Sequence, residues 1–219
     1  MTFMPAPEAR RPGRPTKEQS RLMTEAILRA ATASFAEHGF AGTTIHNLSA
    51  EIGIMRRGLL QRFATKEKLL IAVATRDTTS YAAELALLPL RDRSFQADFR
   101  RICLKLWERG SDPREAALLR AYFGEMGRLP ELADVIRRFY LAIAQVLEGK
   151  IAAAQRSGWF AGYEAFAVAD CAISMIISTP RIRTMVLDRT MTDPVSGEEH
   201  FGRLWAFMWR MAVESRETR

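Results

Sequence analysis

The chain has 219 residues, 48% of them apolar and 26% charged, so it is long enough for one large domain or for two smaller ones. Its formal net charge of +7 favours an anionic partner. We expect no membrane span because the chain has no run of about 18 apolar residues, and the first 15 residues contain no apolar signal-peptide core. These features predict a cytoplasmic protein.

The positive charge is concentrated in the first third of the chain. Residues 1–70 carry 11 Lys and Arg against 6 Asp and Glu, whereas the remaining residues carry 21 against 19. Charge alone leaves two readings open, a solvated basic surface or a nucleic-acid interface. The two cysteines, Cys103 and Cys171, lie in apolar surroundings, where a buried and inert thiol is expected.

The first elements are predicted by their capping residues. Thr16 with Gln19 forms a capping-box pattern, and Gly39 ends the helix that begins there. Thr44 is expected to cap a second helix that ends at Gly53. A third short helix covers about residues 55–62, and a fourth begins after Thr65.

Beyond residue 70, every long segment has a helical pattern, with no alternating strand pattern and no hairpin signal. Helices are expected to begin at Pro113, at Pro130 and at a capping box that starts at Ser196. The segment 178–180 is expected to break or kink a helix because it contains Pro180. The predicted fold is all-α, with residues 1–15 as a disordered basic arm, 16–64 as a helix-turn-helix domain and 65–219 as a larger helical domain.

Residues 43–63 have the spacing of a helix-turn-helix. Ser49 is small enough for two helices to cross, and Gly53, four residues later, suits a turn with positive φ. The third helix then presents polar side chains suited to base edges in the major groove, and Lys66 and the Thr44 cap are placed to hold phosphates. The predicted DNA contacts of this unit are Thr44, His46, Met55, Arg56, Arg57, Gln61, Arg62 and Lys66.

The arm adds three further predicted DNA contacts, Arg10, Arg11 and Arg14. Gly13-Arg14-Pro15 is similar to the core of an AT-hook, which lies in narrow A·T-rich minor grooves. The alternative is a charged disordered tail with no groove contact.

These motifs together resemble the N-terminal domain of the TetR/AcrR family of transcriptional regulators, over about residues 20–72. The matching residues are Ile27, Leu28, Ala30, Ala31, Phe35, Gly39, Phe40, Thr43, Thr44, Ile45, Leu48, Gly53, Ile54, Leu59, Phe63, Thr65, Lys66, Glu67 and Leu69. The resemblance implies three DNA-binding helices, a fourth linking helix, and a C-terminal domain that binds a small-molecule effector and forms a homodimer. It also implies that the effector releases a repressor from a palindromic operator.

The third helix departs from the family pattern. Met55 stands where a capping Ser is usual, Arg57 stands in place of a Gly, and Leu60 stands in place of a Tyr. Gln61 and Arg62 replace a pair of histidines. These departures leave the fold prediction intact and put the start of the recognition helix and its base contacts in doubt.

Two C-terminal helices are predicted to form the homodimer. The segment 166–177 is apolar nearly all round, and the last helix carries a wide apolar stripe, so each can cover its own domain and meet a symmetry mate. An ordinary internal core is the alternative. The predicted interface residues are Ala169, Ala172, Ile173, Ile176, Phe201, Leu204, Trp205 and Met208.

An apolar effector pocket is the remaining prediction. Its expected walls are Trp107, Tyr122, Phe123, Met126, Phe139 and Tyr140, with Arg101, Arg120 and Glu125 as polar anchors, although such spacing is also typical of plain core. No metal, cofactor or catalytic site is expected, since the three histidines form no cluster and no phosphate-binding loop follows a strand. Two other functions stay open: an architectural A·T-rich DNA binder without effector, and a ligand-binding scaffold that has lost operator binding.

Overall fold

The computed structural model describes residues 16–186 and 193–217, which contain helices and no β-strand. The N-terminal unit consists of three helices, and the remaining helices pack beside and beyond it. The helices are α1 (Lys17–Gly42), α2 (Ile45–Ile52), α3 (Arg56–Phe63), α4 (Lys66–Leu87), α5 (Phe95–Ser111), α6 (Pro113–Met126), α7 (Pro130–Gln155), α8 (Ala165–Ala172), α9 (Thr179–Met185) and α10 (Pro194–Glu217). A 3₁₀ turn, Asp92–Ser94, precedes α5, and a π-helical turn, Ile173–Ser178, joins α8 to α9.

Side-chain caps fix the beginnings of the first helices. Thr16 Oγ1 accepts a hydrogen bond from the Gln19 backbone N–H at 3.1 Å, and the Gln19 side chain accepts one from the Thr16 N–H at 2.9 Å. Thr44 and Thr65 accept from the N–H groups three residues later, and Asp112 caps α6. These contacts satisfy N–H groups that a helix leaves unpaired, and they confirm the predicted helix starts.

The predicted stop at Gly39 is confirmed as an interruption of α1. Gly39 has φ of 69° and ψ of 180°, and helical hydrogen bonding resumes as far as Gly42. The side-chain hydroxyl of Thr43 then donates to the Gly39 carbonyl at 2.8 Å. The chain is thereby turned so that α2 crosses back over α1.

The predicted break or kink at residues 178–180 takes the form of a π-helical turn, Ile173–Ser178, which interrupts the α-helical pattern directly before α9. Thr179 Oγ1 donates a hydrogen bond of 2.9 Å to the carbonyl oxygen of Ser174, five residues earlier. The next residue, Pro180, has no backbone N–H that could donate such a bond. Within the continuous stretch Ala165–Met185, a window of 18 residues has a mean hydropathy of 1.4, enough by length and composition alone to cross a membrane. Its Ile173, Ile176 and Ile177 are buried in the protein core, and a buried core helix meets the same criterion.

Two hydrophobic cores hold the helices together. The first joins Ile27, Phe35, Leu48 and Leu59 of α1–α3 to the first half of α4 and to parts of α6 and α7. The second lies between α4, α5, α7, α8, α10 and the π-helical turn. The N-terminal unit therefore shares its core with helices beyond residue 64.

Gly110 of α5 packs closely against the backbone of the π-helical turn. A Cβ at this position would lie 2.8 Å from the Ile177 carbonyl oxygen and 3.2 Å from Cγ of Pro180. Only glycine permits this approach without displacing backbone.

Candidate nucleic-acid interface

The turn between α2 and α3 has the geometry that the sequence predicts for a helix-turn-helix. Gly53 has φ of 73° and ψ of 32°, which is left-handed backbone that favours glycine. The Ile54 N–H donates to the Ser49 carbonyl at 3.0 Å and closes the turn. Ser49 itself is buried at the crossing, where a larger side chain would separate the helices.

Helix α3 buries one residue and exposes a polar face. Leu59 is fully buried in the N-terminal core. The side chains that lie on the surface at α3 are Met55, Arg56, Arg57, Gln61 and Arg62. Arg62 Nη1 donates to Ser20 Oγ at 3.0 Å, so this guanidinium also ties α3 to α1. Met55 is the N-cap residue of α3, and its side chain makes no hydrogen bond to the N–H groups of the helix.

The beginning of α2 presents a second polar surface. Thr44 Oγ1 accepts from the Asn47 N–H at 3.1 Å, and both Thr44 and His46 are exposed. Asn47 is also exposed there and is absent from the sequence-based site. The sequence feature that could have identified Asn47 is its position directly after His46, on the first turn of α2. Arg10, Arg11 and Arg14 lie outside the described residues.

Lys66, which the sequence places as a phosphate contact, has partners within the chain. Its ammonium donates to the carbonyl oxygens of Phe40 at 2.7 Å and of Thr43 at 2.9 Å, and it lies 4.3 Å from the centre of the Phe40 ring. Two hydrogen bonds and a cation–π contact hold this charge against the end of α1. Lys66 is therefore a structural tie between α4 and α1, and it is not placed as a free phosphate contact.

The predicted effector residues are not brought together in one place. Trp107 and Phe139 belong to the C-terminal core, whereas Tyr122 is in the N-terminal core and Met126 packs against it. Phe123 and Tyr140 are exposed. The Tyr140 hydroxyl donates to Asp170, and this hydrogen bond raises the pKa of Tyr140 to about 12.

The three predicted polar anchors each have another partner. Arg101 Nη2 donates to Asp98 at 2.9 Å, and Arg120 Nη1 donates to the Met185 carbonyl at 3.1 Å. Glu125 accepts from Arg128 at 2.9 Å. The three side chains therefore make contacts within one helix or between neighbouring helices.

The predicted dimer residues lie on the inner faces of their helices. Ala169, Ala172, Ile173, Ile176, Phe201 and Met208 are at most 2% exposed within a single chain, and Leu204 and Trp205 are half-buried. The six buried residues are core residues with no surface left for a partner, which corrects their assignment.

The outer faces of α8 and α10 carry other side chains. Small and apolar residues are exposed there, namely Ala167, Cys171 and Ser174 on the first helical stretch and Gly202, Ala206 and Phe207 on the last helix. Cys171 is thus exposed, contrary to the expectation of a buried thiol, while Cys103 is buried and its burial raises the pKa of its thiol to about 12.

Sequence reasoning also missed a group of polar side chains in the larger domain, most of them partly buried. Asp77, Arg109, Glu115, Tyr122 and Arg181 come from four different helices and interact with one another. No sequence pattern signals such a group, because its members are scattered over more than 100 residues. Among the described residues no set of three or more His, Cys, Asp or Glu side chains could hold a metal ion.

Comparison with known proteins agrees with this geometry. Residues 27–73 match the family described as bacterial regulatory proteins, tetR family. The HTH-type transcriptional repressor AcnR of Corynebacterium diphtheriae is 36% identical over 65 residues, which cover 30% of this chain and 34% of that protein. This chain therefore matches only about a third of that relative's length.

Two solved structures extend the likeness to nearly the whole chain. A TetR transcription regulator from Haloarcula marismortui has a TM-score of 0.70 at 18% identity, covering 89% of this chain and 98% of its own. The SmeT–triclosan complex has a TM-score of 0.64 at 21% identity, covering 84% and 90%. At such identities the likeness concerns the fold: an N-terminal helix-turn-helix with a C-terminal helical domain. Residues 27–73 thus have the helix-turn-helix sequence of the bacterial regulatory proteins of the tetR family, and the whole chain has the fold of TetR-family structures.

Proposed function

We propose that this protein is a homodimeric transcriptional repressor that binds a palindromic operator and is released from it by a small-molecule effector. The observation that carries the proposal is the exposed polar face of α3, presented by a helix-turn-helix whose turn closes at Gly53. An α-helix of this kind fits the major groove of B-DNA.

The base contacts are assigned to α3 and to the start of α2. Arg56 and Arg57 are suited to donate to guanine, and Gln61 is suited to pair with adenine. Met55, Arg62 and His46 lie at the border of this surface, where they would reach bases or the sugar-phosphate backbone. Thr44 and the free N–H groups of the first turn of α2 would bind a phosphate. Arg10, Arg11 and Arg14 would follow the adjacent minor groove.

The dimer would form through the outer faces of α8 and α10. Gly202 and Ala206 on α10 let a symmetry-related helix approach closely, and Phe207 supplies apolar area beside them. A two-fold pair places two α3 helices on two half-sites of a palindrome, so dimerisation doubles the DNA contact.

The effector part of the proposal rests on the shared cores and on one structural neighbour. The SmeT structure is a complex with triclosan, a small molecule, and it has the same fold. In this chain the N-terminal unit shares its core with α4 and α6, so a ligand that displaces either helix would shift α3 relative to its partner. Repression is proposed because AcnR, which is 36% identical to this chain over 65 residues, is a transcriptional repressor.

The proposed operator is tested by selecting bound DNA from a random pool and titrating the enriched sites at two salt concentrations. We expect an enriched palindrome bound about 10³-fold or more tightly than random DNA. Arg57→Ala should weaken operator binding by about 1 to 3 kcal/mol and relax the preference at one base pair. Arg156→Ala, which removes an exposed arginine at the end of α7, is the matched control and should leave binding unchanged.

The same titration separates the two other functions. Binding without an enriched palindrome, with a preference for A·T content, would indicate an architectural DNA binder. An absence of DNA binding at both salt concentrations would indicate a ligand-binding scaffold. Either result contradicts the proposal.

The dimer surface is tested by sedimentation velocity. Ala206→Glu places a charge on the outer face of α10 and should yield monomers that retain the native helical content. Ala83→Glu, at an exposed alanine of α4, should remain dimeric. A dimer that survives Ala206→Glu would exclude this face as the interface.

A further inference from the structure

A cavity lies between one face of α5 and the first turns of α10. Its volume is about 570 Å³, which is in the range of small-molecule sites. Trp107, predicted from the sequence as a wall of an effector pocket, is part of its lining. The side chains that line the cavity from α5 are Arg100, Leu104, Trp107, Glu108 and Ser111, which share one face of that helix.

Two aromatic rings form one wall of this cavity. The ring centres of Trp107 and Phe201 lie 5.9 Å apart, and the Arg100 guanidinium lies 5.4 Å from the centre of the Phe201 ring. The face of an aromatic ring attracts a cation within about 6 Å of its centre. The arginine of the protein itself therefore already places a positive charge against this wall.

The lining of the cavity carries more negative than positive charge. Glu108, Asp193 and Glu198 supply three carboxylates, whereas Arg100 supplies the one guanidinium. Glu108 and Glu198 are exposed, and neither of them forms an ion pair with another described residue. Two carboxylates without a counter-charge beside an aromatic wall favour a positively charged occupant.

Ser111 adds a polar group that lacks a partner. Its Oγ is buried and has no hydrogen-bond partner among the described residues, and the residue lines the cavity. Buried polar groups in proteins are nearly always hydrogen-bonded, and a serine hydroxyl can accept as well as donate. An N–H donor in the cavity would supply the missing partner after a rotation of Ser111 about its Cα–Cβ bond.

We propose that this cavity binds an organic cation, a primary ammonium group on an apolar body, and that this cation is the effector. The carboxylates of Glu108 and Glu198 attract its ammonium group, which donates to Ser111, while its apolar body packs against Leu104 and Trp107. The proposal rests on the proposed function, since it assigns a chemical class to the effector of that regulator.

The cavity is adjacent to the ion pair that joins α5 to α4. Glu108 directly precedes Arg109, whose Nη2 lies 2.7 Å from Asp77 Oδ2 of α4. The first half of α4 belongs in turn to the core of the N-terminal unit. A ligand at Glu108 thus binds one residue away from the contact between α5 and the helix that leads to the DNA-binding unit.

The test is isothermal titration calorimetry of the full chain without DNA. The ligands are 2-phenylethylammonium and hexylammonium and their neutral counterparts, 2-phenylethanol and 1-hexanol. We expect each ammonium to bind at least about tenfold more tightly than its alcohol, because only the cation is attracted by the carboxylates and the aromatic wall. Equal binding of ammonium and alcohol, or no ammonium binding up to about 10 mM, would overturn the proposal.

Two variants at exposed residues test whether the cation lies in this cavity. Glu108→Gln removes a carboxylate and should weaken binding of 2-phenylethylammonium by about threefold or more. Arg100→Ala removes the guanidinium that covers the Phe201 ring and should strengthen this binding by about twofold or more. Glu164→Gln, at an exposed carboxylate that precedes α8, is the matched control and should leave the affinity unchanged. Weaker binding in Arg100→Ala, or an unchanged affinity in both cavity variants, would show that the cation binds elsewhere.

The assignment as effector has its own readout. At a saturating concentration of 2-phenylethylammonium, we expect the affinity for the selected operator to fall by about tenfold or more. An operator affinity that the ammonium leaves unchanged would contradict this assignment. Operator selection needs no ligand and the calorimetric titration needs no DNA, so a failure of this proposal and a failure of operator binding are measured separately.

Discussion

Arg109 and Asp77 form an ion pair of 2.7 Å in which both side chains are at most 20% exposed. Asp77 lies on α4, which begins at the N-terminal core, and Arg109 lies on α5 of the larger domain. The pair therefore holds the linking helix to the domain that we propose to sense the effector.

The first prediction concerns this pair. Asp77→Ala leaves Arg109 buried with one carboxylate partner fewer, so we expect the free energy of unfolding to fall by about 2 to 4 kcal/mol. The measurement is urea denaturation followed by circular dichroism. Glu131→Ala is the control, because it removes an ion pair with Lys68 in which both side chains are more than half exposed, and it should cost at most about 1 kcal/mol. Equal losses in the two variants would mean that the Asp77 pair is only a surface contact.

The second prediction concerns the close approach at Gly110. Gly110→Ala would place Cβ 2.8 Å from the Ile177 carbonyl oxygen, so α5 and the π-helical turn must separate. We expect a loss of about 1 to 3 kcal/mol in thermal or urea denaturation.

The matched control for Gly110 is Gly149→Ala in the middle of α7. No atom lies within 4 Å of a Cβ at Gly149, and alanine favours a helix more than glycine does. This variant should gain about 0.5 to 1 kcal/mol. If Gly110→Ala were as stable as Gly149→Ala, the contact with Ile177 would not constrain the packing.

The local part of the fold is what the sequence predicted well. Thr16, Thr44, Thr65 and Asp112 each cap a helix through an N–H two or three residues away, so the signal and the contact lie in the same short segment. The turn at Gly53 is local in the same sense. Such features follow from a few neighbouring residues and can be predicted from a single sequence.

Features that depend on distant residues were not predictable in this way. Lys66 has a sequence position typical of a phosphate contact, yet its ammonium is bound by carbonyls 26 and 23 residues earlier. The outer face of α10 could not be told from the inner one, because apolar residues occur on both. The π-helical turn before Pro180 was missed because a proline signals an interruption without specifying how it is accommodated.

The third prediction concerns the pH dependence of stability through Asp98. This carboxylate is 2% exposed and accepts hydrogen bonds from Ser94 and Arg101 and from the backbone N–H and side chain of Arg91. The Arg91 side chain, first among these, holds the pKa of Asp98 well below its usual range. A lowered pKa means that the folded state favours the charged form, so this contribution is complete above the unfolded pKa of about 3.9 and is lost as the pH falls below it.

Asp98→Asn tests this dependence. We expect the variant to lose about 1 to 3 kcal/mol at pH 7, and the difference from the wild type to narrow as the pH approaches about 3. Urea denaturation across that pH range is the measurement. Asp134→Asn, at an exposed carboxylate paired with Arg137, should leave stability unchanged at either pH. A difference for Asp98→Asn that stays constant with pH would contradict a lowered pKa.

The last prediction separates the structural cation from the DNA-binding ones. Lys66→Ala removes two hydrogen bonds and a cation–π contact at the end of α1, so we expect unfolding to become easier by about 1 to 3 kcal/mol. Because this ammonium is already bound, the slope of log K against log salt for DNA binding should stay the same in the folded variant. Arg56→Ala should do the opposite, with stability within about 0.5 kcal/mol of the wild type and operator binding weakened by about 1 to 3 kcal/mol through the loss of a guanine contact. The two variants are compared by urea denaturation and by operator titration over a salt series. A reduced salt slope with unchanged stability in Lys66→Ala would show that the lysine leaves the Phe40 and Thr43 carbonyls to bind a phosphate in the complex.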